Sequence, residues 1–158
     1  MAGRRLAWPL RIKKTVAQNV QRSALPIMNA PGGNSVIHDS IISKGEDTRK
    51  IKEAMSVLLE KDWFVDVDEP EIKKTYHFKT YTKVADLHNL IAVRCKSENH
   101  HPTMITKYGS LTVHWTTHHP RGLSNKDVRM AQYCDEQAAS IGTVKSDDAV
   151  KCKPEGST

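Results

Sequence analysis

Between residues 46 and 141 the apolar side chains recur with two different periods that take turns along the chain, and this alternation limits the possible folds more than any other feature. Ile51, Ala54, Met55, Leu58 and Leu59 mark one helical face. They follow Ser43-x-x-Glu46, a capping-box pattern, so a helix is predicted over about 46–61. Trp63, Val65 and Val67 then alternate with Phe64, Asp66 and Asp68 as in a strand. Asp68-Glu69-Pro70 signals a turn, and Ile72, Lys74, Tyr76 and Phe78 alternate as its hairpin partner.

The period then returns to that of a helix. Thr82 is placed to cap a second one, whose stripe is Val84, Leu87, His88, Ile91, Ala92 and Cys95, running to about Ser97. Its outer face, with Lys83, Asp86, Asn89, Arg94 and Lys96, reads as polar, without an apolar docking patch. A second hairpin follows: a strand over 103–108, a turn at Gly109-Ser110, and a strand through Leu111, Val113, Trp115 and Thr117. Ser124-x-x-Asp127 is another capping box, opening a third helix with Val128, Ala131, Cys134, Ala138 and Ile141 on one side. The expected fold is α+β in the order α-β-β-α-β-β-α, a four-stranded antiparallel sheet with three helices on one face.

Charge separates this body from its flanks. Residues 1–38 carry six Lys or Arg and no acid, which leaves 18 of the 24 bases against all 18 acids in the rest of the chain. A body of zero net charge is a poor phosphate-binding surface, so direct nucleic-acid binding is not expected. Within the basic arm Ile12, Val16 and Val20 share one helical face, the pattern of a mitochondrial targeting segment. A mitochondrial location is therefore expected, with a cytoplasmic or nuclear one as the alternative. Residues 1–40 are read as arm and linker, 41–142 as the folded domain and the polar stretch 143–158 as a disordered tail. No apolar run reaches the roughly 18 residues of a membrane span. Three scattered cysteines, Cys95, Cys134 and Cys152, lack the spacing of a disulfide framework or a zinc site.

Chemistry concentrates in histidine. Five of the eight fall between His100 and His119, as His100-His101-Pro102, His114 and His118-His119. Antiparallel pairing about the Gly109-Ser110 turn brings the first and last of these groups to one end of the sheet. His114, Thr116 and His118 are expected to share one strand face. Imidazole titrates near neutrality, so the cluster suits acid–base catalysis or metal binding, and spacing alone leaves both open beside a purely structural role.

Tyr76-His77-Phe78-Lys79, Asn99-His100-His101-Pro102, Tyr108, Thr117-His118, Gly122-Leu123-Ser124 and Asp127 together resemble the pterin-4a-carbinolamine dehydratase family, over about residues 44–141. The resemblance implies a dehydratase that removes water from 4a-hydroxytetrahydropterin to give quinonoid dihydropterin, with neither cofactor nor metal. It implies a functional link to an aromatic amino acid hydroxylase, which makes that substrate, and assembly as a homodimer or homotetramer. By position, His100 and His118 correspond to general acids. His101, Pro102 and Asp127 correspond to the substrate-binding set, with Asp127 mainly capping the helix and bracing the histidines. Met104 and Lys96 depart from the family pattern, and Glu98 is placed to replace the acid missing at 96. Some relatives act instead as dimerisation or assembly modules, so a non-catalytic binding role is the alternative.

Overall fold

The structure, a computed structural model, describes residues 37–149. The targeting reading of the arm and most of the expected tail lie outside these residues. The described chain runs α1 (Thr48–Leu59), β1 (Phe64–Asp66), β2 (Glu71–His77), α2 (Tyr81–Glu98), β3 (Thr103–Lys107), β4 (Ser110–Trp115), β5 (Thr117–His118), β6 (Arg121–Gly122) and α3 (Asn125–Ile141). The first four strands form an antiparallel sheet in the order β1-β2-β4-β3. The expected α+β architecture is present.

Strand parity decides which side chains meet the helices. Ile72 and Tyr76 of β2 and Leu111, Val113 and Trp115 of β4 are buried, and beneath them lie Met55 and Leu58 of α1, Leu87 and Ile91 of α2, and Val128 and Ala131 of α3. The other parity leaves an open face, on which Thr75 and Thr112 bond across the strands and Phe64 and Ile105 stay exposed. An antiparallel sheet with one covered face accounts for the sequence alternation.

The element ends depart from the sequence reading for identifiable reasons. Ser43 does not cap α1, because its backbone N–H donates to Leu123 O and its hydroxyl to Pro120 O. Asp47 caps α1 instead, accepting from the Lys50 amide. Thr80, not Thr82, caps α2. The fourth strand stops at Trp115 rather than Thr117; Thr116 turns aside to donate to Pro70 O, and a small β5–β6 ladder follows. On α2 the buried stripe is Val84, Leu87, Ile91 and Cys95, while Ala92 is exposed. The outer face of α2 is less polar than expected, with Val93 73% and Leu90 39% exposed.

The domain also extends beyond both boundaries assigned to it. Ile37, Ile41 and Ile42 are buried in the core, although 37–40 were read as linker. Ile42 lies parallel to Leu123, and this crossing requires Gly122, whose φ is +135° and where a Cβ would meet Ser43 N at 2.6 Å. At the other end the Val144 amide donates to His77 O, and Ser146–Asp148 form a 3-10 turn, so the start of the expected disordered tail is ordered. Among the described residues no helix is long and apolar enough to cross a membrane.

Candidate active site

The site begins where α2 ends. Asn99 adopts the left-handed conformation at φ 47°, which asparagine tolerates better than other side chains with a Cβ, and the amides of Asn99 and His100 both donate to Cys95 O. This turn tucks His100 under the sheet. Its ring stacks on Trp115 at 5.3 Å between centroids and 18° between planes, and the residue is 9% exposed.

The capping box of α3 supplies the partner. Asp127 is fully buried, and its Oδ1 lies 2.7 Å from His100 Nε2. Its Oδ2 accepts from the Ser124 amide at 2.8 Å, from the Thr117 hydroxyl at 2.8 Å and from the Ser124 hydroxyl at 3.0 Å. A carboxylate only accepts, so the pairing places a hydrogen on His100 Nε2 and leaves Nδ1 as the nitrogen free to exchange protons. One aspartate thus closes the helix cap, ties down β5 through Thr117 and fixes the orientation of His100.

The register brings the other expected residues to the same end of the sheet. Thr103 pairs with His114, so the loop 100–102 lies beside the junction of β4 and β5. His101 and His118 are exposed there and Pro102 is half-buried. The structure bears on three further expectations. Asp127, expected among the substrate-binding residues, has no exposed surface, and both its oxygens are engaged by His100, Thr117 and Ser124. His114 does not share a face with His118, because the strand breaks between them; it sits on the open face with Nδ1 2.7 Å from Glu71 Oε1. Glu98 does not stand free in place of an acid at 96, since it pairs with Arg94 and Arg129. Met104 is half-buried and packs against the core.

The reading of the sequence missed Trp115 as a stacking platform, Thr117 as a tether and Glu71 as a histidine partner. Thr117 was visible beside His118; the Glu71 pairing had no local signal, because 43 positions separate it from His114. Among the described residues no three His, Cys, Asp or Glu side chains converge as metal ligands. A groove of about 1270 Å³ lies at the opposite end of the sheet, lined in part by Lys61, Lys74, Tyr76, Asp135 and Asp148. Its buried charges satisfy one another, with Lys74 and Tyr76 both donating to Asp135 Oδ1 at 2.7 and 2.8 Å and Trp63 donating to Oδ2 at 3.0 Å. This enclosure raises the Tyr76 phenol above its ordinary range, chiefly through burial. A satisfied network of that kind holds α3 to the sheet and leaves no group free to react.

The fold and site together define a small α+β domain that presents a carboxylate-braced histidine, with two exposed histidines, at one end of its sheet. Residues 45–137 match the family model described as pterin 4 alpha carbinolamine dehydratase, and the chain belongs to that family. A protein of Syntrophotalea carbinolica named "Putative pterin-4-alpha-carbinolamine dehydratase" is 33% identical over 64 residues, covering 40% of this chain and 57% of its own length. A Vibrio vulnificus protein of the same name is 33% identical over 67 residues, covering 42% of this chain and 61% of its own. The chain thus spans about three-fifths of the length of these curated relatives. A Brucella melitensis crystal structure titled transcriptional coactivator/pterin dehydratase is similar in fold, with a TM-score of 0.53 at 22% identity over 57% of this chain and 94% of that one.

Proposed function

We propose that this chain dehydrates 4a-hydroxytetrahydropterin to quinonoid dihydropterin by histidine acid–base catalysis. The observation that carries the reading is His100, locked on Asp127 with Nδ1 left free, at a sheet end that also exposes His101 and His118. Loss of water from a carbinolamine needs a proton delivered to the departing hydroxyl and another removed from the adjacent ring nitrogen. Groups that titrate near neutrality do both. His100 and His118 are the acids of this scheme, and His101 with Pro102 holds the pterin. An aromatic amino acid hydroxylase supplies the substrate, the working form is a homodimer or homotetramer, and the basic arm directs the chain to mitochondria.

The test is stopped-flow dehydration of chemically generated carbinolamine by the full chain. His100→Ala and His118→Ala are expected to lower turnover by about 10²–10⁴-fold, as loss of a general acid does. His101→Ala is expected to raise KM more than it lowers kcat. A wild-type rate equal to the uncatalysed one would end this reading. The exposed Leu90 and Val93 on α2 favour one second reading, a binding module that docks a partner through that helix. An inactive chain whose self-association or partner binding is lost on Val93→Asp would support it.

A further inference from the structure

His118 stands at the mouth of a tight hairpin, and whatever holds that hairpin decides where the imidazole sits. β5 and β6 pair Thr117 with Gly122 and His118 with Arg121, so only His119 and Pro120 form the turn. At the base, Thr117 donates to Asp127 Oδ2 at 2.8 Å. On the other strand Arg121 pairs with Glu69, but those side chains are 64% and 70% exposed, and an ion pair so open to water constrains little. Among the described residues one further side chain bonds the hairpin. The Ser43 hydroxyl, on a residue only 4% exposed, donates to Pro120 O at 2.8 Å.

That bond comes from a strap, residues 37–43, and joins positions 77 apart in the sequence. The Ser43 amide donates to Leu123 O at 2.9 Å and the Leu123 amide to Ile41 O at 2.7 Å, and Gly122 lets the two segments touch. Ser43 is thus fixed by its own backbone, and its hydroxyl is a rigid hold on the turn. The strap also lies outside residues 45–137, the part of the chain that matches the family model. On the dehydratase reading, on which this inference rests, we propose that Ser43 is a positioning residue for His118. Its hydroxyl pins Pro120, and the closed hairpin carries that constraint to the imidazole two residues back. A two-residue turn leaves the hairpin little internal freedom, so Pro120 and His118 move together.

Pro120 is exposed, so water can replace the lost donor, and Ser43→Ala should melt close to the wild type. An acid misplaced by about 1 Å loses up to about 10²-fold in rate, so Ser43→Ala should lower kcat by about 10–10²-fold with little change in KM. The decisive measurement is a double-mutant cycle in the full chain. If the hydroxyl acts through His118, Ser43→Ala added to His118→Ala costs no further kcat. Added to His100→Ala, it costs at least as much as in the wild type. A residue that merely supports the fold would lower turnover in every background.

A second readout needs no turnover. With the histidine rings labelled with carbon-13, the His118 signal, assigned by its absence from His118→Ala, should shift or broaden in Ser43→Ala, while His88 on α2 keeps its signal. If Ser43→Ala does not fold, Ser43→Cys, of similar volume but a weaker donor, enters the same cycle. An active wild type overturns the tether alone in any of three cases: Ser43→Ala keeps its kcat, it costs as much again beside His118→Ala, or it leaves the His118 signal in place. A wild type without dehydration activity overturns the dehydratase reading, and the role of Ser43 in turnover with it.

Discussion

Asp127→Ala is the perturbation that bears most directly on how fold and site are joined. The substitution removes one acceptor for His100 Nε2 and one for three donors, the Ser124 amide, the Ser124 hydroxyl and the Thr117 hydroxyl. The two hydroxyls lie 2.6 Å apart and one can donate to the other, which leaves the second hydroxyl, the Ser124 amide and the His100 ring N–H without an acceptor. Each orphan costs about 1–3 kcal/mol, and with the lost helix cap the total comes to roughly 3–5 kcal/mol. For a domain of this size that is a fall in Tm of roughly 10–20 °C. The check is a urea midpoint at constant slope together with a thermal scan. A loss below about 1 kcal/mol would refute the brace, since it would mean that His100 and the cap hold without the carboxylate.

Asp127→Asn separates the two duties. An amide oxygen can still receive the Ser124 N–H, but the amide nitrogen then faces His100 Nε2 as a second donor unless the ring moves its hydrogen to Nδ1. The stability cost should be about 1–2 kcal/mol, while turnover falls further than stability because Nδ1 is no longer free to exchange protons. An asparagine variant with wild-type turnover would show that the tautomer of His100 does not matter.

Other substitutions test the frame around the site. Gly122→Ala should destabilise strongly or prevent folding, because its Cβ would lie 2.6 Å from Ser43 N and 2.8 Å from Ile42 C at φ +135°; a melting curve like that of the wild type would contradict this crossing. Removing residues 1–36 should leave the melt unchanged, whereas removing 1–42 takes away Ile37, Ile41 and Ile42, each contributing about 1.5–3 kcal/mol when fully buried; equal melts would show that this strap is dispensable. Burial pushes the Cys134 thiol up to about 12 and the Cys95 thiol up to about 11 from 9.0. Unfolded thiols therefore ionise first: stability from this source is level below about pH 9 and falls above it, by up to about 1.4 kcal/mol per pH unit for each thiol. Below that pH neither thiol should react with a maleimide until the chain unfolds, and mass spectrometry showing rapid native-state labelling of either would refute their burial.

Much of the fold was legible because periodicity and burial are the same fact seen twice. Ile51, Met55 and Leu58 repeat at helical spacing because α1 lies on the sheet, and Leu111, Val113 and Trp115 alternate because β4 has one covered face. The capping box at Ser124 and Asp127 was readable for the same local reason, as both partners lie within one turn. Ser43 misled because an identical local pattern was overridden by tertiary hydrogen bonds to Pro120 and Leu123, nearly eighty positions away. Residues 37–40 were read as linker because a strap that crosses a glycine shows neither period. The apolar residues on the outer face of α2 were passed over because Leu90 and Val93, within the run Leu90-Ile91-Ala92-Val93, fall off the helical stripe that marks the buried side.

The histidines show where local reading stops. That His100, His101 and His118 meet at one sheet end followed from the position of the hairpin turn alone, and the register supports it. What each imidazole can do depends on groups that local reading does not connect. Adjacent residues in extended chain face opposite ways, so His100 and His101 cannot both lie beneath the sheet, and the stacking surface of Trp115 with the carboxylate of Asp127 determines which one does. The same alternation, applied to β4, carries His114 away from Trp115 onto the open face, where register alone supplies Glu71. One strand therefore separates two imidazole–carboxylate pairs onto its two sides. The buried pair is held by the capping box of α3, so a change there perturbs fold and chemistry together. The open pair is held only by a cross-strand contact, so it can be altered in this sequence without disturbing the core.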